Sequence, residues 1–145
     1  MLAIADLIHG TNVEPRPYQA RIVTQAMDLF LNKKMRSVLI ESPTGSGKTV
    51  MGLLTAWGLQ RESKLRVGWV AMRRNLLEQT AEEITERGLG VKCEFISMFE
   101  KTPPKNLDLL VIDEAQHDAA NSMAHLHSVI RPKFILGLSA TPFRA

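Results

Sequence analysis

One cysteine, Cys93, stands in a chain of 145 residues, which excludes an internal disulfide and suits a reducing compartment, pointing to the cytoplasm. It reads as a small packed residue in a strand from Val91 to Ile96, without a redox role. Membrane and export signals are lacking as well. The apolar run Leu2 to Ile8 is short, contains Asp6 and has no basic leader. No uncharged stretch approaches the roughly 20 apolar residues that a bilayer-crossing helix needs, so no membrane partner is expected. His125 and His127 stand two apart, a spacing that does not bring side chains together on a helix, and zinc is not expected. Nor is there an internal repeat or a low-complexity tract. Charge is weak: a net +3 and a pI near 9.2 are compatible with nucleic acid but do not specify it. At 45% hydrophobic residues, a chain of this length suits one domain, 1–145, burying roughly 70% of its unfolded surface.

What is present is concentrated in two places. Glu41-Ser42-Pro43-Thr44-Gly45-Ser46-Gly47-Lys48-Thr49 follows the apolar run Val38-Leu39-Ile40 and precedes a helix-forming stretch. A triphosphate tail carries several charges on closely spaced oxygens, so its site needs converging backbone N–H donors, a lysine and a helix N-terminus. Pro43 to Gly47 supply the loop, Gly45 and Gly47 permit its curl, Lys48 meets the β/γ-phosphates, and the Thr49 hydroxyl is a ligand for Mg²⁺. The general pattern asks for Gly five residues before Gly47, where this chain has Ser42. Further on, Leu107 to Ile112 is a near-continuous apolar run of buried parallel-strand type that ends in Asp113-Glu114-Ala115-Gln116-His117. Two acids leaving a strand at its carboxyl end stand where ligands bind in open α/β sheets. Asp113 is expected to hold Mg²⁺, and Glu114 to orient or deprotonate an attacking water.

These motifs resemble those of the first, RecA-like motor domain of superfamily 2 helicases and translocases. Further segments carry the resemblance from Arg16 to Arg144. Arg16-Pro17-Tyr18-Gln19 looks like the adenine-sensing segment of the branch that includes repair helicases and restriction-enzyme motor subunits. There the Gln19 amide can pair with both N6 and N7 of adenine, and Tyr18 can offer a stacking face. Ala71-Met72-Arg73-Arg74-Asn75-Leu76-Leu77-Glu78-Gln79 resembles motif Ia, Ser97-Met98-Phe99 falls where motif Ib would, and Gly137-Leu138-Ser139-Ala140-Thr141-Pro142-Phe143-Arg144 resembles motif III. The resemblance implies ATP and Mg²⁺ as cofactors, and DNA or RNA as partner. It also implies coupling of the nucleotide site to Ser139 and Thr141, through either Gln116 or His117. Gln116 is preferred because an amide donates and accepts without titrating near neutral pH.

Motif Ia also reads from its residues. Asn75 followed by Glu78 has capping-box spacing, Leu77, Ala81 and Ile84 share a helical face, and Gly88 is placed to end the helix. Arg73 and Arg74 then sit just before a helix N-terminus, a natural grip for a nucleic-acid phosphate that reads no sequence. Pro17 to Phe30 predicts a first helix with a stripe of Ile22, Ala26 and Phe30. Strands are expected near 37–42, 66–72, 91–97, 107–113 and 134–141, alternating with helices. That alternation implies an α/β fold: a three-layer α/β/α sandwich with a mainly parallel sheet, here a RecA-like P-loop NTPase. The resemblance places the last strand between the phosphate-loop strand and the acidic strand.

The chain stops at Ala145, so the second RecA-like domain and its arginine fingers are expected to come from a longer parent chain or in trans. Alone, the polypeptide should bind nucleotide better than it hydrolyses it. A cytoplasmic location is expected, or a nucleoid or nuclear one if the substrate is DNA. Two other readings remain: a nucleotide- or nucleic-acid-binding regulatory module without turnover, and a P-loop kinase, which Glu114 and the Ser-Ala-Thr segment disfavour.

Overall fold

The computed structural model describes residues 1–115 and 120–141. Its elements run α1 (Ile4–Ile8), α2 (Pro17–Leu31), β1 (Ser37–Pro43), α3 (Lys48–Ser63), β2 (Val67–Ala71), α4 (Arg74–Glu86), β3 (Cys93–Ser97), β4 (Leu109–Ile112), α5 (Ala120–Ile130) and β5 (Phe134–Thr141). The strands form one sheet in the order β1-β5-β4-β2-β3, and every pairing is parallel. The last strand in sequence therefore lies between the loop-bearing strand and the acidic strand, as the resemblance implied.

Alternation along the strands divides the core into two layers. Val67, Trp69 and Ala71 of β2, Leu109 and Val111 of β4, and Leu136 and Leu138 of β5 pack with α1, α2, α3 and α4. The intervening residues Val70, Leu110 and Ile112 pack instead with Met123, Leu126 and Ile130 of α5. The result is the α/β/α sandwich expected, with unequal covers among the described residues. β2 and β4 are buried at every position, the pattern of strands covered on both faces.

α3 is buried nearly all round because it lies beneath α2 and against the sheet, and its glycines are what let it approach so closely. A Cβ on Gly52 would stand 2.6 Å from Leu138 and 3.1 Å from Trp69, and one on Gly58 would stand 2.5 Å from Met27 of α2. The Trp69 ring that fills the first notch leaves its Nε1 without a hydrogen-bond partner among the described residues.

The segment Leu2 to Ile8 contains a short helix, tied down by buried Leu7. Two details of α4 differ from the expectation. α4 begins at Arg74 rather than at Asn75: Arg73 is the N-cap, and no side chain caps the end. The Asn75–Glu78 spacing therefore forms no capping box, because Asn75 is already inside the first turn. The buried positions of α4 are Leu77 and Thr80, Thr80 being accommodated by donating its hydroxyl to Leu76 O at 2.9 Å. The other end is as expected. Gly88, at φ +68, and Leu89 donate to Thr85 O at 3.2 Å and Ile84 O at 3.0 Å, the paired bonds of a Schellman motif.

Candidate nucleotide-binding site

The site forms at the carboxyl ends of β1 and β4, where two loops separated by 65 residues of sequence meet. β1 delivers Pro43 into a turn closed by Ser46 N–H donating to Pro43 O at 3.1 Å. Gly45 and Gly47 both take φ +84, a left-handed conformation costly for residues with a Cβ. Gly47 is the N-cap of α3, so the loop runs directly into a helix N-terminus, where partial positive charge favours an anion.

Ser42, the departure from the glycine pattern, is the penultimate residue of β1. Its backbone is extended, so no glycine conformation is needed there. Its buried hydroxyl accepts a hydrogen bond from Ser46 Oγ at 2.8 Å, bracing the loop from within.

α2 braces the same loop from outside. Tyr18 Oη donates to Ser46 O at 2.6 Å, and Gln19 Nε2 donates to the same carbonyl at 2.8 Å. Gln19 Oε1 in turn accepts from Arg16 N–H at 2.9 Å, which fixes the orientation of the amide. Arg16 contributes its backbone to this arrangement and leaves its side chain exposed. Sequence reasoning assigned these residues to adenine; the loop-bracing hydrogen bonds were not legible in it.

Lys48 Nζ lies 2.6 Å from Glu114 Oε1 and 3.2 Å from Asp113 Oδ1. Asp113 is buried, with 3% exposure, and its N–H donates to Val70 O at 2.9 Å. Glu114 takes φ +56, an uncommon conformation for a non-glycine residue and one that recurs at functional sites. Burial alone would lower the Lys48 pKa, but the Glu114 hydrogen bond and the Asp113 charge outweigh it and hold the ammonium above its ordinary value.

Thr49 and Asp113 line one cavity of about 330 Å³, together with Leu76, Gln79 and Thr80 of α4. Hydroxyl and carboxylate oxygens are hard donors, the type Mg²⁺ takes. The donor set thus fits the ion, although no group of three or more His, Cys, Asp or Glu side chains placed to hold a metal occurs among the described residues. Gln79, the last residue of motif Ia, and Thr80 beside it were not singled out as site residues; the signal was their place in the second turn of α4. A larger, shallow depression of about 550 Å³ lies along α2 at Ala20, Thr24 and Asp28, away from this chemistry.

β5 runs beside β1 in a register that pairs Glu41 with Ser139 and Pro43 with Thr141. The motif III backbone thus borders the loop entrance. Gln116 and His117 lie outside the described residues, as do Pro142 to Ala145 and the Thr141 side chain. Arg73 and Arg74 are exposed at the start of α4. Among the described residues no helix is long and apolar enough to cross a membrane.

A parallel sheet with a phosphate-loop geometry on its first strand, an Asp-Glu pair two strands away and motif III between them defines a RecA-like motor domain of the superfamily 2 helicases. The chain belongs to the family described as type III restriction enzyme, res subunit, whose model matches residues 12–106 and 97–144. A protein named as a helicase in Sulfolobus islandicus filamentous virus is 30% identical, across 73% of this chain and 24% of its own length. Among solved structures, the Sulfolobus solfataricus SWI2/SNF2 ATPase core in complex with dsDNA superposes with a TM-score of 0.72 at 18% identity, covering 91% of this chain and 33% of that one. The Pyrococcus furiosus Hef helicase domain gives 0.72 at 19%, covering 100% and 35%. The UvsW helicase of bacteriophage T4 gives 0.69 at 18%, covering 89% and 53%. At these identities the superpositions establish the fold. The chain spans about a quarter of the viral relative and a third to a half of the solved chains.

Proposed function

We propose that the chain is the ATP- and Mg²⁺-binding first motor domain of a DNA or RNA helicase or translocase, hydrolysing ATP when a second RecA-like domain completes the site. The observation that carries this reading is Lys48 held between Asp113 and Glu114. A loop lysine, a buried carboxylate and a second carboxylate with a positive φ converge at one helix N-terminus, the set needed to hold a γ-phosphate and present water to it.

In this reading Lys48 and the loop N–H groups of Gly45 to Thr49 hold the phosphates. Thr49 and Asp113 hold Mg²⁺, which when bound neutralises charge on the β- and γ-oxygens. Glu114 accepts the proton of the attacking water. Gln19, with its amide oriented by Arg16 and Ser46, recognises the adenine edge, and Tyr18 flanks it. Gln116, with Ser139 and Thr141, couples the site to movement along nucleic acid, and Arg73 and Arg74 hold its backbone.

The test is steady-state phosphate release by this chain, with and without single-stranded and duplex nucleic acid. Slow or undetectable turnover alone, together with Mg²⁺-dependent ATP binding, is the expected result, because transition-state arginines from a second domain are worth orders of magnitude. Robust stimulated turnover by this chain alone, abolished in Glu114→Gln, would establish the base and refute the need for a partner. ATP binding that stays without turnover after a second motor domain is supplied would favour the regulatory-module reading.

A further inference from the structure

The nucleotide site occupies the carboxyl ends of β1 and β4, and the opposite end of the sheet carries a second charged cavity. Arg36 and Ser37 at the start of β1, His127 and Arg131 at the end of α5, and Lys133 just before β5 line a space of about 510 Å³. Pro132 and Ile135 give it an apolar side, and no acidic residue lines it among the described residues. β1 is seven residues long, so roughly 20 Å of strand separates this cavity from the phosphate loop.

The backbone beneath these side chains is pinned. Ile135 N–H donates to Arg36 O at 2.8 Å, Arg131 N–H to His127 O at 3.0 Å and Lys133 N–H to Asp108 O at 3.0 Å. Ser37 pairs with Ile135 in the sheet, so β1 and β5 hold two sides of the cavity at one strand spacing. The carbonyls and N–H groups of these steps are spent on one another, which leaves the side-chain cations to face the space.

Those cations are unequally matched. Lys133 Nζ meets Asp108 Oδ1 at 3.4 Å, whereas Arg36 and Arg131, both exposed, pair with no carboxylate among the described residues. Two guanidinium charges thus face one cavity uncompensated, and their mutual repulsion is a cost that a bound anion removes. Toward β4 the positive stretch is interrupted by Asp108, which engages Lys133 and also accepts from Arg66 N–H at 2.8 Å. A compact anion suits a site bounded in this way better than a polymer does.

We propose that this cavity binds a phosphate monoester dianion of a small molecule, its phosphate between Arg36 and Arg131 and its apolar body against Pro132 and Ile135. Each guanidinium presents parallel N–H donors. A tetrahedral phosphate has oxygens for two such forks at once, whereas a planar carboxylate satisfies one. The His127 ring and the Ser37 hydroxyl supply further donors, and two negative charges balance the two unpaired arginines. Because the phosphate loop lies at the other end of β1, this ligand and ATP bind together without competing.

The experiment titrates phenyl phosphate and inorganic phosphate, by calorimetry at constant ionic strength, into wild type, Lys48→Ala, Arg36→Ala, Arg131→Ala and Lys33→Ala/Lys34→Ala. Lys48→Ala weakens the phosphate loop's own hold on anions, so phenyl phosphate binding that persists in it belongs to another site. That persistence is expected, together with a loss of at least about 10-fold in either arginine variant, the lower end for removing a hydrogen-bonded charge. Mg²⁺-ATP affinity should be unchanged in both arginine variants, which also shows that they fold. Inorganic phosphate should bind the same site more weakly, having no body to set against Pro132 and Ile135; equal affinity for the two probes would overturn the ester. Loss of binding in Lys48→Ala, or undiminished binding in both arginine variants, would overturn the cavity. So would an equal loss in Lys33→Ala/Lys34→Ala, whose exposed lysines lie outside the lining, or failure of the wild type to bind phenyl phosphate at all.

Discussion

Lys48 and Glu114 form the closest ion pair of the site, at 2.6 Å, which makes the lysine that should hold a phosphate one for which the phosphate must compete. Replacing Lys48 with Ala should weaken Mg²⁺-ATP binding by about 1.5 to 3 kcal/mol, the worth of a charge-assisted hydrogen bond. Glu114→Gln should act in the opposite direction, tightening nucleotide binding several-fold while removing the base, because it withdraws the strongest competitor for the ammonium. Calorimetric titration of both variants decides the matter. Equal affinity in wild type and Lys48→Ala would refute the phosphate-loop assignment.

The two loop glycines should differ in what an added methyl costs. Both have φ +84, but a Cβ on Gly47 would stand 2.4 Å from Gln19 Nε2, whereas one on Gly45 meets nothing within 4 Å. Gly45→Ala therefore pays only backbone strain, on the order of 1 kcal/mol. Gly47→Ala adds a clash with an amide already held by Ser46 O, and should be the more destabilising of the pair in thermal melts. It should also lose more nucleotide affinity, because the Gln19 brace must move. Equal melting temperatures would mean that the brace yields freely.

The parts of the fold readable from sequence are those where local pattern and tertiary demand agree. The near-continuous apolar run before Asp113 has the length and composition of a strand covered on both sides, and Gly45-Ser46-Gly47 before a helix has few conformations open to it. Arg73 shows where such reading fails. Asn75 is the better capping residue by side chain, yet the helix starts at Arg74 because the chain leaving β2 turns into it without a side-chain cap. Thr80 is polar by composition and buried in fact, since a local hydrogen bond to Leu76 O satisfies its hydroxyl. The positive φ of Glu114 and the paired hydroxyls of Ser42 and Ser46 depend on contacts between distant segments, so no local pattern announces them.

Alkaline pH should destabilise the fold in a way that identifies Cys93. Cys93 is half-buried, and the desolvation that goes with its packing pushes its thiol up to about 12 from 9.0, so the folded state keeps the proton that the unfolded chain gives up. Between about pH 9 and 12 the unfolded state binds fewer protons, and stability must fall as pH rises. Lys48, also held above its ordinary value, contributes stability that is complete below the ordinary lysine range and lost only above it. Wild-type melting temperature should therefore begin to decline near pH 9, while Cys93→Ala should hold until the lysine range. The native thiol should also react slowly with a disulfide reagent at pH 8. Fast labelling of the folded protein, or identical alkaline limbs in the two proteins, would contradict the burial argument.

The nucleic-acid assignment makes its sharpest claim at Arg73. As the N-cap of α4 it lies beside backbone N–H groups that no side chain caps, so guanidinium and helix end can converge on one phosphate. A contact of that kind releases counterions without reading bases. Arg73→Ala should lower affinity alike for unrelated oligonucleotides and flatten the slope of log affinity against log salt by about one unit. Asn75→Ala is the internal control: since Asn75 lies within the first turn and caps nothing, it should leave the slope unchanged. Fluorescence anisotropy over a salt series separates the outcomes. A change of preference among sequences with the slope intact would make Arg73 a base reader, and the motif Ia assignment would fall with it.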